Sequence, residues 1–357
     1  MPRYVIGPSL IMSSLCYSIF KVEAYPTCPF NCAYCYARKS PAKFFLTFDE
    51  PSFRDFVSRF SRLGVKPFFR LSTLTDSFQP IEAIERKSLE VLQVFRELEV
   101  PVVINTKSDL VAKTPWIDEI LKLAEKGLVV VQFTIAFLDS EAKILEPFAP
   151  PPSRRLKALE ILSRSGVPTA IRLQPLVPHL NTKPGYLDQL LDNVKSVGVK
   201  QVIAENIRIL TRNDLEALQG ACKNCVDRIE WEKILGTPWR RPSLKQREKA
   251  LYIVMAEATK RGLTFATCRE GMFKYHTAPN CCELHLLNKD ILNQTFLRPT
   301  LYEYWQQKQG NLNIKEIERR ERVIQNLGIK EVEKHHKLLQ QILSNKQLLK
   351  EIAPHMD

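Results

Sequence analysis

Cys28, Cys32 and Cys35 are set at C-x₃-C-x₂-C in the stretch Tyr25-Pro-Thr-Cys-Pro-Phe-Asn-Cys-Ala-Tyr-Cys-Tyr36. Thiolates are soft ligands suited to iron–sulfur clusters. A cubane [4Fe–4S] cluster normally takes four of them. Three in one tight loop hold three irons and leave the fourth open to a small molecule, much as a catalytic zinc keeps a position for water. Zinc would need a fourth ligand close by, and no Cys or His lies between Cys35 and His179. Pro26 and Pro29 hold the loop out of helical geometry. The apolar run Ser18-Ile-Phe-Lys-Val-Glu-Ala24 predicts a strand leading into it.

A second set comprises Cys222, Cys225, Cys268, Cys281 and Cys282, with His276 and His285 nearby. Cys222-x₂-Cys225 reads as half of a second metal or iron–sulfur site, completed by Cys268 or by Cys281 and Cys282. Core cysteines, or a thiol that gives a hydrogen atom near the substrate, are the other readings of this set.

The elements that must position these groups alternate strand and helix. The predicted strands are the cysteine strand, Pro67–Ser72, Val100–Asn105, Leu128–Ile135, Pro168–Gln174 and Gln201–Ile207. Between them come predicted helices at Ser52–Leu63, Ile81–Leu98, Pro115–Glu125, Ser153–Ser165 and Gly185–Val197. The strands are continuous apolar runs, as in a parallel sheet covered by helices. Such a barrel carries its site at the carboxyl ends of the strands. There the sequence places the cysteine loop, Thr75-Asp76, Thr106-Lys107-Ser108, Thr134, Gln174 and Glu205-Asn206.

Beyond about Leu210 the rhythm stops. This divides the chain into a barrel, residues 1–210, and a mostly helical C-terminal extension, residues 211–357, holding the second cysteine set. Leu263–Cys268 reads as one more strand. Residues 311–357 read either as packed helices or as a solvated appendage.

Composition narrows the class. The chain has 357 residues, 45% of them hydrophobic, and nine cysteines. With no secretory signal, that cysteine usage points to a reducing, cytoplasmic setting and metal chemistry, not to a disulfide framework. The apolar run Tyr4–Phe20 lacks a strong basic flank and a cleavage site, and is read as barrel entry, with no membrane partner. The formal net charge is +13, which favours polyanionic partners through counterion release.

The cysteine loop resembles that of the radical S-adenosylmethionine (SAM) superfamily, and more closely its spore photoproduct lyase-like group. Four further segments carry the resemblance in order. They are Thr75-Asp-Ser-Phe-Gln-Pro-Ile-Glu82, Asn105-Thr-Lys-Ser108, Leu145-Glu-Pro-Phe-Ala-Pro150 with Arg154-Arg155, and Pro175-Leu-Val-Pro-His-Leu-Asn181. The resemblance covers approximately residues 16–210. It implies an α/β fold, a partial (β/α)6 barrel of the radical SAM type. It implies a [4Fe–4S] cluster on Cys28, Cys32 and Cys35, and SAM chelated at the open iron. An electron donor such as ferredoxin or flavodoxin is implied as partner. Tyr34 is assigned to the adenine of SAM. The Thr75–Asp76 turn offers acceptors to the SAM ammonium, and Lys107 and Thr106 meet its carboxylate, its ribose or a substrate phosphate. Glu146-Pro147 reads as a loop stabiliser and Arg155 as a surface charge.

The spore lyase returns a hydrogen atom from a barrel cysteine. No Cys lies between Cys35 and Cys222, so that step is not carried over, and no catalytic side chain is assigned. The leading expectation is hydrogen abstraction from a substrate such as DNA or RNA. The alternatives are a radical SAM enzyme for a peptide, protein or metabolite, and a nucleic-acid-binding protein with a structural metal centre.

Overall fold

The structure is a computed structural model and describes residues 4–8, 14–17, 20–38 and 46–356. Residues 9–13 and 18–19, parts of the expected barrel entry and cysteine strand, lie outside the described residues.

The strands are β1 (Tyr4–Pro8), β2 (Phe20–Glu23), β3 (Leu46–Phe48), β4 (Phe69–Leu71), β5 (Val102–Thr106), β6 (Val129–Thr134), β7 (Thr169–Leu176), β8 (Gln201–Asn206), β9 (Trp231–Lys233), β10 (Arg240–Pro242) and β11 (Thr264–Thr267). Nine of them form one sheet in the order β11-β8-β7-β6-β5-β4-β2-β1-β3. From β2 to β11 every pairing is parallel, while β1 pairs antiparallel with both β2 and β3. Residues 264–267 thus add a seventh parallel strand to the six expected, and the stretch read as an extension contributes to the barrel sheet.

The helices around the sheet are α1 (Glu50–Arg62), α2 (Glu82–Glu85), α3 (Lys87–Glu97), α4 (Trp116–Glu125), α5 (Asp139–Leu145), α6 (Pro152–Arg164), α7 (Pro184–Ser196), α8 (Arg212–Val226) and α9 (Leu244–Lys260). The C-terminal ones are α10 (Lys289–Gln294), α11 (Leu301–Lys308), α12 (Ile314–Leu327), α13 (Lys330–Ser344) and α14 (Lys346–Ile352). In α1, Phe53, Phe56, Val57 and Phe60 recur at helical spacing and are all buried. They pack with Phe20, Phe69 and Phe95 in edge-on and tilted contacts, the geometry that ring quadrupoles favour. The helix expected over Ile81–Leu98 is two helices, broken at Arg86, whose φ is +53°.

Successive strand residues face opposite sides of the sheet. Phe69, Leu71, Val102, Ile104, Val129, Val131, Ile171, Val202 and Phe265 join the outer core against the helices. The alternate set, Phe68, Val103, Val130, Ala170, Ile203 and Ala266, forms a separate inner cluster. Two residues further along the same six strands stand Arg70, Asn105, Gln132, Arg172, Glu205 and Cys268, and two further on Ser72, Lys107, Thr134, Gln174 and Ile207. A period of two thus converts an apolar barrel floor into a polar layer and then a mouth.

The C-terminal helices are packed, not a solvated appendage. Leu301, Tyr304, Ile317, Leu339, Ile342, Ala353 and Met356 form their own core, and Ile324, Leu327 and Val332 join the main one. His335 and His336 are buried in α13, and His335 Nε2 and both ring nitrogens of His336 lack hydrogen bonds. Burial first, then the charge of Arg298, pushes both down to about 3.

A histidine whose folded pKa lies below its unfolded value of about 6.5 contributes stability above that value, and the contribution is lost as pH falls from there toward the folded pKa. Acidification from pH 7 to pH 5 is expected to cost about 2 kcal/mol for each of the two. Denaturant unfolding at both pH values checks this. The double variant His335→Asn, His336→Asn should show a flatter pH slope than the parent; equal slopes would refute the assignment.

Candidate active site

The cysteine loop leaves the carboxyl end of β2 and is fastened at both ends. Tyr25 donates to Glu82 Oε2 at 2.5 Å. Glu82 also accepts from Trp116 Nε1 at 2.6 Å and from the backbone N–H groups of Ser88 and Leu89 at 2.9 and 3.1 Å. The Glu that closes the 75–82 segment is therefore a buried hub that starts α3 and grips the residue ahead of the cysteines. At the far end Ala33 N donates to Leu145 O at 2.8 Å, Tyr34 donates to Glu146, and Arg38 donates to Cys32 O at 2.8 Å. Asn31 turns the chain with a φ of +50°, a region that Asn tolerates better than most residues.

Cys28, Cys32 and Cys35 are free thiols lining one open cavity of about 220 Å³. Burial pushes Cys28 up to about 11 and Cys32 up to about 12. Both are protonated until a metal displaces the proton, so loading releases protons. Three soft donors from one loop, none in a disulfide and all facing the same space, fit a cluster with one open iron.

The opposite wall is built from the ends of β4 and β5. Glu23, the last residue of β2, accepts from Thr73 N, Thr73 Oγ1, Leu74 N, Thr75 N and Thr75 Oγ1 at 2.6–3.0 Å. This buried carboxylate gives the 73–75 turn its shape. Thr75 thus reaches the cavity already tied to Glu23. Asp76 accepts from Phe78 N at 3.0 Å, Thr106 Oγ1 at 2.9 Å and Lys107 N at 2.7 Å. It locks the β4 turn to the β5 turn and does not simply cap a helix. Burial raises its pKa, against those hydrogen bonds.

Lys107 Nζ lies 5.6 Å from the Tyr34 ring centroid. Burial alone would lower its pKa, but the neighbouring Cys32 and Glu146 raise it. Glu146 is held below the usual carboxylate range, since the Arg155 and Lys107 charges outweigh its burial. Arg155 corrects the sequence reading. It is fully buried, with Nη2 2.5 Å from Glu146 Oε2 and Nη1 donating to Thr134 O at 3.0 Å. A charged residue in the first turn of a helix is often exposed, but this one, the fourth residue of α6, points under the sheet's end, where Glu146 neutralises it.

Sequence reasoning missed two arginines deep in the cavity. Arg70 and Arg172 line its depth, and Arg172 donates to Gln174 Oε1 at 2.6 Å and to Gln132 Oε1 at 2.7 Å. Arg269 pairs with Glu205 at 2.6 Å and sits 5.0 Å from the Tyr36 ring centroid. Thr134, Gln174, Glu205 and Asn206, all expected at strand ends, do line the cavity. Cys16, absent from the expected second set, lines it with Cys268.

That second set is divided by the fold. Cys222 and Cys225 are joined in a disulfide within α8, contrary to the expectation of a metal half-site, and pack with Leu218 and Ile229. Cys268, Cys281 and Cys282 belong to the barrel-floor cluster. His276 accepts from Thr267 N at 2.9 Å, and His285 is a member of neither group.

A thiol loop after the first parallel strand, facing a barrel mouth, defines a class, and the comparisons agree. The Radical SAM superfamily model matches residues 22–202, half of the chain. The chain belongs to the radical SAM superfamily, whose members are enzymes that use SAM and a [4Fe–4S] cluster. An uncharacterized protein of Acidianus two-tailed virus is 27% identical over 151 residues, covering 41% of this chain and 46% of that protein. An uncharacterized protein of Methanocaldococcus jannaschii is 25% identical over 166 residues, covering 45% of this chain and 61% of that one. The chain spans about half the length of these relatives. Among solved structures, a mutant of spore photoproduct lyase superposes with a TM-score of 0.50 at 11% identity, covering 66% of this chain and 73% of that one. That likeness is one of fold. Among the described residues no helix is long and apolar enough to cross a membrane.

Proposed function

We propose that this enzyme abstracts a hydrogen atom from a nucleic acid, DNA or RNA, bound in the barrel mouth. The observation that carries the reading is that the three thiols, the Asp76–Lys107 wall and a cationic lining open on one cavity. A reduced [4Fe–4S] cluster with SAM supplies the 5′-deoxyadenosyl radical that takes the hydrogen. Cys28, Cys32 and Cys35 hold the cluster. Tyr34 offers its ring to the adenine, with its hydroxyl fixed on Glu146. Lys107, kept protonated, meets the SAM carboxylate. The Thr75 turn offers acceptors to the ammonium, and Asp76 ties the β4 and β5 walls of the cavity together. One-electron reduction comes from a small carrier such as ferredoxin or flavodoxin.

The substrate class rests on charge. Among the described residues Arg70, Lys107, Arg172, Arg208 and Arg269 line the cavity against Asp76 and Glu205, and the whole chain carries +13. Both favour a polyanion. A base within a duplex would have to be extruded to reach the barrel mouth, so single-stranded or damaged nucleic acid should react better.

The test is deuterium transfer from labelled DNA and RNA pools into 5′-deoxyadenosine. Transfer from one of them, with binding that weakens steeply as salt rises, is expected. Transfer only from peptides or metabolites would move the substrate to those classes. Salt-sensitive nucleic-acid binding with no SAM cleavage would leave a binding protein with a structural metal centre.

A further inference from the structure

Cys16, Cys268, Cys281 and Cys282 come from three separate stretches of chain and meet beneath the cavity. Each is a buried free thiol. Cys268 directly follows β11, and Cys281 and Cys282 lie on the loop that closes the barrel floor. That loop is pinned by Gln132 donating to Cys281 O at 3.4 Å and Gln201 donating to Asn280 O at 2.9 Å. Cys16 precedes β2, its carbonyl accepting from Arg298 at 3.0 Å, and it lies within electrostatic reach of Cys282 and Cys268. Cys281 Sγ and Cys282 Sγ are 3.9 Å apart. A tetrahedron with metal–sulfur bonds of about 2.3 Å has edges of about 3.8 Å.

The charges around these thiols are unbalanced. Arg70 and Arg172 are both in the barrel lumen, and among the described residues neither pairs with a carboxylate. Arg70 donates to Asn105 Oδ1 at 3.2 Å, and its Nε has no partner. Arg172 has only neutral amide partners and Cys268 Sγ, at 3.4 Å. Buried cations need counter-charge. Two guanidinium groups match the −2 of a divalent metal held by four thiolates.

We propose that Cys16, Cys268, Cys281 and Cys282 form a second, tetrathiolate metal centre in the barrel floor, for zinc or an iron–sulfur cluster, with Arg70 and Arg172 as its counter-charges. Binding of a zinc ion releases one proton from each of the four thiols. An iron–sulfur centre requires iron and sulfide in its place. Among the described residues no three His, Cys, Asp or Glu side chains already stand at metal-ligand spacing, so binding includes side-chain adjustment. The centre would sit directly below the radical site, since Cys16 and Cys268 line the same cavity as the three-thiol loop.

The test uses the full chain with Cys28→Ala, Cys32→Ala and Cys35→Ala, which removes the first site. This variant is purified anaerobically and offered zinc, or iron with sulfide, in separate arms. One arm is expected to retain about one zinc or one cluster per chain. X-ray absorption should show a sulfur-only shell of about four atoms near 2.3 Å. Adding Cys268→Ser or Cys282→Ser should lower the metal content at least tenfold, whereas Cys222→Ser should leave it unchanged. A folded variant that takes up no metal in either arm overturns the proposal. Metal kept after Cys268→Ser and Cys282→Ser, or a shell containing nitrogen or oxygen, overturns it as well. None of these readouts depends on SAM cleavage, so the first site and this one fail separately.

Discussion

Replacing Cys28, Cys32 and Cys35 with alanine will remove SAM cleavage to background, a loss of more than about a thousandfold for a group without which the chemistry has no electron source. Iron content should fall by about four per chain. The fold should survive, because the loop's anchors do not use the sulfurs. Tyr25 is held by Glu82, Ala33 by Leu145 O and Tyr34 by Glu146. Each single replacement should act nearly as strongly as the triple, since two thiolates hold a cubane poorly. The readouts are iron analysis, 5′-deoxyadenosine formation and circular dichroism of the variants. A triple variant that still cleaves SAM would break the link between loop and chemistry.

The second large effect is on stability. Glu82 is fully buried and accepts from Tyr25, Trp116, Ser88 N and Leu89 N. Glu82→Ala leaves four buried donors without an acceptor and opens a cavity. Each orphaned donor costs about 1–3 kcal/mol, so a loss of about 4 kcal/mol or more is expected after local relaxation. Glu82→Gln keeps the shape and one acceptor oxygen, and should lose less than half as much. Urea unfolding at neutral pH measures both. Because Tyr25 leads into the cysteine loop, Glu82→Ala should also load less iron than Glu82→Gln. A loss under about 1 kcal/mol for Glu82→Ala would mean that water replaces the carboxylate, and that the hub does not organise the loop.

Much of this site was legible, for identifiable reasons. The cysteine spacing is local, and a parallel strand buried on both faces announces itself as an apolar run such as Val102-Val-Ile104 or Val129-Val-Val131. Once those strands are placed, counting two residues on from Phe68 and Ala170 reaches Arg70 and Arg172, and from Ala266 reaches Cys268. The sequence held these positions, but their charge hid them, because a polar residue inside an apolar run reads as an interruption. Cys16 was hidden differently. It lies inside the apolar entry run, and only the closing of the barrel brings it to Cys268 and Cys282.

Arg155 and Glu146 show the limit of local reading. A charged side chain in the first turn of a helix reads as surface until a carboxylate nine residues upstream is seen beneath it. Arg86 breaks a pattern that is helical by periodicity, because Glu82 is drawn inward to accept hydrogen bonds from Ser88 and Leu89 across the break. The pairing of Cys222 with Cys225 removed two sulfurs from a set grouped by composition alone. Packing of α12 and α13 onto the barrel needed the tertiary contacts of Ile324, Leu327 and Val332.

The proposed function requires that the three thiols in the loop after β2 equip this barrel to cleave SAM by one-electron reduction. It is tested most directly by anaerobic reconstitution of the full chain with iron and sulfide, followed by addition of a strong one-electron reductant and SAM. Equal amounts of 5′-deoxyadenosine and methionine, absent without reductant and absent in the triple alanine variant, are the predicted result. A chain that holds about four irons on the loop and binds SAM, yet forms no 5′-deoxyadenosine under reduction, would contradict the account.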